Sequence, residues 1–219
     1  MKKIFLFFGL LILWVGLPSQ NQIPFASDIA QFESEDATNP KPMGQIVFVG
    51  SSSFTKWKDV DARFPGFGII NRGFGGSTLV DVIRFAQQTI YKYQPRQVVI
   101  YCGENDFAAD STLSVKAVFK RYKTLTKGIN KHVPGSQIAF ISMKPSPSRI
   151  QLIPKYRAAN DLIANYNKKK GYQYIHVFDA MLDAAGNPKA DIFVSDRLHM
   201  NASGYDIWVP IIRPFLMAK

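Results

Sequence analysis

Five short runs of apolar and β-branched residues recur along the chain, each closed by a turn or a polar cluster. They are Gln45-Ile46-Val47-Phe48-Val49, Gly68-Ile69-Ile70-Asn71, Gln97-Val98-Val99-Ile100-Tyr101, Gln137-Ile138-Ala139-Phe140-Ile141 and Tyr174-Ile175-His176-Val177-Phe178. Continuous apolar runs of this length read as strands buried on both faces. Helical patterns lie between them. Ser114 can cap a helix whose Val115, Val118, Phe119, Tyr122, Leu125 and Ile129 share one face. A second helix is expected from about Tyr156 to Lys170, and a last one after Asn201, bent or interrupted near Pro210. Strands alternating with helices predict a parallel sheet covered on both sides, with ligands bound beyond the carboxyl ends of the strands.

A chain of 219 residues that is 47% hydrophobic, with 17 Phe and 9 Tyr, buries one substantial core, which excludes a disordered protein. Its start reads differently. Met1-Lys2-Lys3 precedes an unbroken apolar run from Ile4 to Leu17. That run has the length of a signal-peptide core and falls short of a comfortable bilayer span. Residues 1–22 are therefore expected to be a signal peptide or an N-terminal anchor, which implies an exported protein that touches a membrane only through that segment. Residues 23–43 are polar and acidic with little periodicity and are expected to form an irregular lead-in, the folded domain occupying 44–219.

The net charge of +11 invites a search for an anionic partner. The basic residues are scattered, and the one tight run, Lys168-Lys169-Lys170, falls at an expected helix end, where the dipole favours cations. No recognition motif accompanies the charge, so no nucleic-acid partner is expected. The single cysteine, Cys102, permits no intramolecular disulfide and is expected as a small buried residue at a strand end.

Reactive residue types gather where the expected strands end. Gly50-Ser51-Ser52-Ser53 follows the first strand, Gly73-Phe74-Gly75-Gly76-Ser77-Thr78 the second, and Gly103-Glu104-Asn105-Asp106 the third. Asp196-Arg197-Leu198-His199 precedes the last helix. Singly each has a plain structural reading: a helix cap for Ser52, a turn for Asn105, a helix start for His199. The glycine segment lacks the third glycine of a dinucleotide fingerprint, since Thr78 stands in its place.

In order and placement together, the four segments resemble the blocks of the SGNH, or GDSL, hydrolase family between about Ile46 and Tyr205. The first block departs from Gly-Asp-Ser at its middle residue, Ser51, and the third carries Glu104 where Thr is common in the family. The resemblance implies a three-layer α/β/α domain around a flavodoxin-like parallel five-stranded sheet. It also implies Ser52 as nucleophile, Gly76 and Asn105 as oxyanion-hole residues, and Asp196 with His199 as the base system. Lys144-Pro145-Ser146-Pro147-Ser148-Arg149 is given no catalytic role.

Chemistry agrees with the resemblance. A serine hydroxyl needs a base to take its proton, and histidine is the side chain suited to that task near neutrality. Of His132, His176 and His199, only His199 lies in a rim loop with a carboxylate three residues earlier; His176 is expected inside a strand as a structural group. Asp196 can fix the imidazole tautomer. The backbone N–H groups of Ser52 and Gly76 and the amide of Asn105 can face an oxyanion. No Gly-x-Ser-x-Gly elbow is present, because Phe54 fills its last position, which points away from the ordinary α/β-hydrolase fold. No cofactor and no metal are expected.

The expected activity is hydrolysis of a carboxylic ester, short-chain or O-acetyl, on a small-molecule or glycan substrate. Acyl transfer to a sugar or other acceptor, and a non-catalytic surface binding module of the same fold, are the alternatives. Trp57, Phe74 and Phe107 stand near the motifs, where aromatic rings either stack on a sugar or fill the core.

Overall fold

The computed structural model describes residues 23–218. The five strands are β1 (Ile46–Gly50), β2 (Ile69–Gly73), β3 (Gln97–Tyr101), β4 (Gln137–Ile141) and β5 (Gln173–Ile175). They form one sheet in the order β2-β1-β3-β4-β5, all parallel. Gly50 pairs in register with Gly73 on one side and Tyr101 on the other. The carboxyl ends of the three strands that precede the glycine- and serine-rich segments therefore lie level. The chain reverses its direction of winding between β1 and β3, and in such sheets the crevice at that point is where ligands bind.

Side chains alternate across the sheet and feed two cores. Val47, Val49, Ile70, Val98 and Ile100 join the core under α4 (Leu79–Arg84), α5 (Ala86–Thr89), α7 (Val115–His132) and α8 (Ile153–Lys170). Ile46, Phe48, Val99 and Tyr101 join the other, with Phe54 from α2 (Ser52–Thr55), Val60 from α3 (Val60–Arg63) and Trp208 from α9 (Ala202–Ile212). The three-layer expectation holds. Ser114 caps α7 by accepting the Ala117 N–H at 3.2 Å, and Val118, Tyr122, Leu125 and Ile129 are buried on its inner face.

Two expectations need correction. The first concerns residues 23–43, which are not an irregular lead-in, since Ala26–Thr38 form a 13-residue helix, α1, packed on the domain. Its own apolar pattern is thin, and the partners that hold it are remote in sequence. Ile29 enters the core, Phe25 packs edge-on against Phe74 at 5.4 Å, and Asp36 accepts from Tyr93 at 2.6 Å and pairs with Lys92 at 2.5 Å and with the buried Arg72. Desolvation pushes the Asp36 carboxyl up, and those donors outweigh it, so its pKa lies below the usual value.

The second concerns the last strand, which stops at Ile175. The N–H groups of Val177 and Phe178 leave the ladder and donate to Ser142 Oγ at 3.0 and 3.2 Å. His176 is consequently not a strand residue; it is exposed and pairs with Asp179 at 2.8 Å. Pro210 sits inside α9, which runs on to Ile212 before a final 3₁₀ turn. The N-terminal segment 1–22 lies outside the described residues. Among those described, no helix is long and apolar enough to cross a membrane.

Candidate active site

Three rim segments are built by close approach of backbone. Gly50 has φ of +144°, and a Cβ there would meet the Tyr101 carbonyl oxygen at 1.9 Å, so only glycine ends β1 this way. The Gly50 carbonyl accepts from Phe74 N at 2.9 Å and from Ser77 Oγ at 3.1 Å, pinning both ends of the glycine loop. Gly76, at φ +87°, is exposed at the tip of that loop. The loop is also tied to α6 (Glu104–Ala109): Asn105 Nδ2 donates to the Ser77 carbonyl at 3.0 Å. Asp106 accepts Leu79 N at 2.9 Å while pairing with Arg121 at 2.6 Å.

Ser52 opens α2 directly after β1. Its neighbours Ser51 and Ser53 are buried, whereas Ser52 is half-buried with its Oγ 2.9 Å from His199 Nε2. The other ring nitrogen, His199 Nδ1, is 2.6 Å from Asp196 Oδ2. A carboxylate only accepts, so Nδ1 carries the proton and Nε2 is left as the acceptor facing the serine hydroxyl. Asp196 is itself oriented, because its Oδ1 takes the N–H groups of Leu198 and His199, each at 2.9 Å. Desolvation pushes the Asp196 carboxyl up, but the His199 ring and those two N–H groups outweigh it and hold its pKa well below the usual carboxylate range. Arg197 turns through the left-handed region at φ 56° to close this loop.

The structure thus brings Ser52, Asp196 and His199 into one hydrogen-bonded chain. The glycine loop lies alongside, since a Cβ placed on Gly75 would sit 3.9 Å from Ser52 Cβ. Among the described residues, no protein acceptor takes the N–H of Ser52 or of Gly76. Asn105 spends one amide hydrogen on Ser77 and keeps the second. His132 stacks on Tyr91 at 4.6 Å, away from this rim. Trp57, Phe74 and Phe107 are fully buried and belong to the cores. Cys102 is buried too, and burial raises its thiol pKa far above normal, leaving it inert. No group of three metal-ligating side chains occurs among the described residues.

A buried ion cluster went unnoticed in the sequence. Glu104 accepts Lys144 N at 3.0 Å, pairs with Lys144 Nζ at 3.3 Å and Arg149 at 3.7 Å, and accepts from the Tyr101 hydroxyl. Lys144 is wholly buried, and desolvation lowers its pKa despite the opposing pull of Glu104. The same loop reaches the His199 segment through Ser148 N, which donates to the Arg197 carbonyl at 3.1 Å. Residues 144–149 therefore brace two rim segments against each other. The charges of Glu104, Lys144 and Arg149 are the only trace of this in the sequence, and forty residues separate the first two.

Comparison with known proteins bears on this arrangement. The profile of the GDSL-like lipase/acylhydrolase family matches residues 44–207. No curated protein matches. A Bacteroides fragilis protein assigned as an acylhydrolase superposes with a TM-score of 0.75 at 19% identity, over 85% of this chain and 94% of the other. A GDSL-like lipase from Bacteroides thetaiotaomicron superposes with 0.72 at 20% identity, over 86% and 96%. An acetylxylan esterase from Geobacillus stearothermophilus gives 0.63 at 13% identity, over 82% and 96%. At these identities the structural likeness is one of fold, and the profile match over three quarters of the sequence carries the assignment: the chain belongs to the GDSL-like lipase/acylhydrolase family.

Proposed function

We propose that the protein is a serine esterase that hydrolyses a short-chain carboxylic ester, O-acetyl above all, through an acyl-serine intermediate. The observation that carries this reading is the unbroken chain from Ser52 through His199 to Asp196, with contacts of 2.9 and 2.6 Å. His199 Nε2 takes the hydroxyl proton as Ser52 Oγ attacks the carbonyl carbon, and Asp196 stabilises the imidazolium that forms. The N–H groups of Ser52 and Gly76 and the free amide hydrogen of Asn105 receive the oxyanion. Collapse breaks the bond to the alcohol oxygen, which takes the proton from His199. Water then repeats the sequence on the acyl-enzyme, releasing the acid and restoring Ser52.

The acetyl preference draws on the fold shared with the Geobacillus acetylxylan esterase. Export is part of the same proposal, supported by Lys2, Lys3 and the apolar run from Ile4 to Leu17. A panel of esters of graded acyl length, run with acetylated polysaccharides and a Ser52→Ala control, tests the reading. Turnover of acetyl esters that vanishes in Ser52→Ala is expected; turnover that survives that substitution, or none by the wild type on any ester, overturns it.

A further inference from the structure

Helix α1 lies outside the family-matched residues 44–207, yet it reaches the catalytic rim. Phe25, immediately before its first residue, has φ of 66° in the left-handed region, where a bulky residue is strained and persists only if its surroundings enforce it. What holds it is visible: its ring packs on Phe74, and a Cβ on Gly76 would lie 3.7 Å from the ring edge. The ring is only half-buried, so it borders the opening beside the glycine whose N–H faces the oxyanion.

A cavity of about 240 Å³ lies between α1 and α2, lined by Asp28, Gln31 and Phe32 on one wall and by Thr55 and Lys58 on the other. It approaches the nucleophile through Thr55, three residues beyond Ser52 on the same short helix. Both flank Gly75, whose Cβ would sit 3.9 Å from Ser52 Cβ and from Thr55 Oγ1. Glu35 and Asn71 also line a second cavity, of about 530 Å³, along the outer edge of β2. The wall is fixed in place by the contacts of Asp36 with Arg72, Tyr93 and Lys92.

We propose that this groove is the subsite for the alcohol portion of the ester, and that it takes a polyhydroxylated chain of several sugar units. The lining decides the class. Carboxylates, amides, a hydroxyl and a lysine side by side offer donors and acceptors of both signs, which suits neutral hydroxyl groups and repels a long acyl tail. The half-buried Phe32 ring, with the Arg72 guanidinium 4.9 Å from its centroid, adds apolar surface to the lining against which a sugar can pack. Volumes of about 240 and 530 Å³ exceed what an acetyl group or a small alcohol needs.

The proposal rests on the esterase reading for what happens to the ester bond, so its test begins with binding alone. Ser52→Ala protein is titrated by calorimetry with partly O-acetylated tetrasaccharides of xylose, mannose and N-acetylglucosamine. At least one should bind, and Gln31→Ala with Lys58→Ala added should weaken it by about tenfold or more, as expected for two lost hydrogen bonds. Both side chains are exposed, so the fold is retained. In the enzyme with Ser52 intact, the ratio of kcat/KM for that tetrasaccharide to kcat/KM for 4-nitrophenyl acetate should fall to a similar degree, and Phe25→Ala should lower the same ratio. Binding by none of the three sugars, or equal affinity with and without the groove substitutions, overturns the proposal. Failure of the esterase reading shows separately, as absent turnover with sugar binding intact.

Discussion

Asn105 separates a working hydrolase from a binding module that merely keeps a serine. Its amide holds the Ser77 carbonyl with one hydrogen, and the proposed mechanism assigns the other to the oxyanion. Asn105→Ala should therefore lower kcat by roughly 10²–10³ while KM stays nearly constant, because that donor matters once charge develops. The lost bond to Ser77 should cost about 1 kcal/mol of stability, read from denaturant unfolding. An unchanged kcat in folded protein would remove Asn105 from the mechanism. Asp196 carries a second expectation, on acid stability. Its folded pKa is depressed, so its contribution to stability is complete above the unfolded carboxylate value and is lost as pH falls through the folded one. Asp196→Asn should be less stable than wild type at neutral pH, and the difference should shrink as the solution is acidified below about pH 4, the unfolded value. A gap in melting temperature that widens in acid would contradict the assignment of that shift.

At the scale of elements, α6 and the loop after β4 meet through Glu104 and Lys144. Removing one member leaves a buried charge alone, which costs about 3–5 kcal/mol, whereas replacing both with apolar groups is often nearly neutral. Glu104→Ala should thus be strongly destabilising, and Glu104→Leu combined with Lys144→Met should recover part of the loss, the Lys144 N–H, the Tyr101 hydroxyl and Arg149 still lacking their acceptor. Additive losses in the double variant, measured by urea unfolding, would show that the pair does not act as a unit. The same comparison bears on catalysis, because Asn105 follows Glu104 directly. The double variant should keep its fold and lose turnover, since α6 is no longer braced against the segment that carries His199.

For the molecule as a whole, what could be read in advance was what periodicity and local chemistry encode. The central strands are apolar on both faces because both faces are covered, and α7 shows its buried stripe from Val118 to Ile129. The four rim segments announced themselves because parallel strands deliver their carboxyl ends to one side. Helix α1 was not legible, because Asp36 finds Arg72 and Tyr93 only in the folded state. The end of β5 was misplaced for a similar reason, since the Ser142 hydroxyl captures the N–H groups that apolar Val177 and Phe178 would otherwise give to the ladder. The ion cluster of Glu104, Lys144 and Arg149 belongs with these, being long-range in sequence and short-range in space. The proposed esterase activity hangs on one hydroxyl being nucleophilic. The most direct measurement is the intact mass and peptide map of the protein after a fluorophosphonate, which phosphonylates an activated serine and expels fluoride. A single adduct on Ser52, absent in Ser52→Ala and retained in Ser51→Ala and Ser53→Ala, is the predicted result; an adduct on another residue, or none on Ser52, would contradict it.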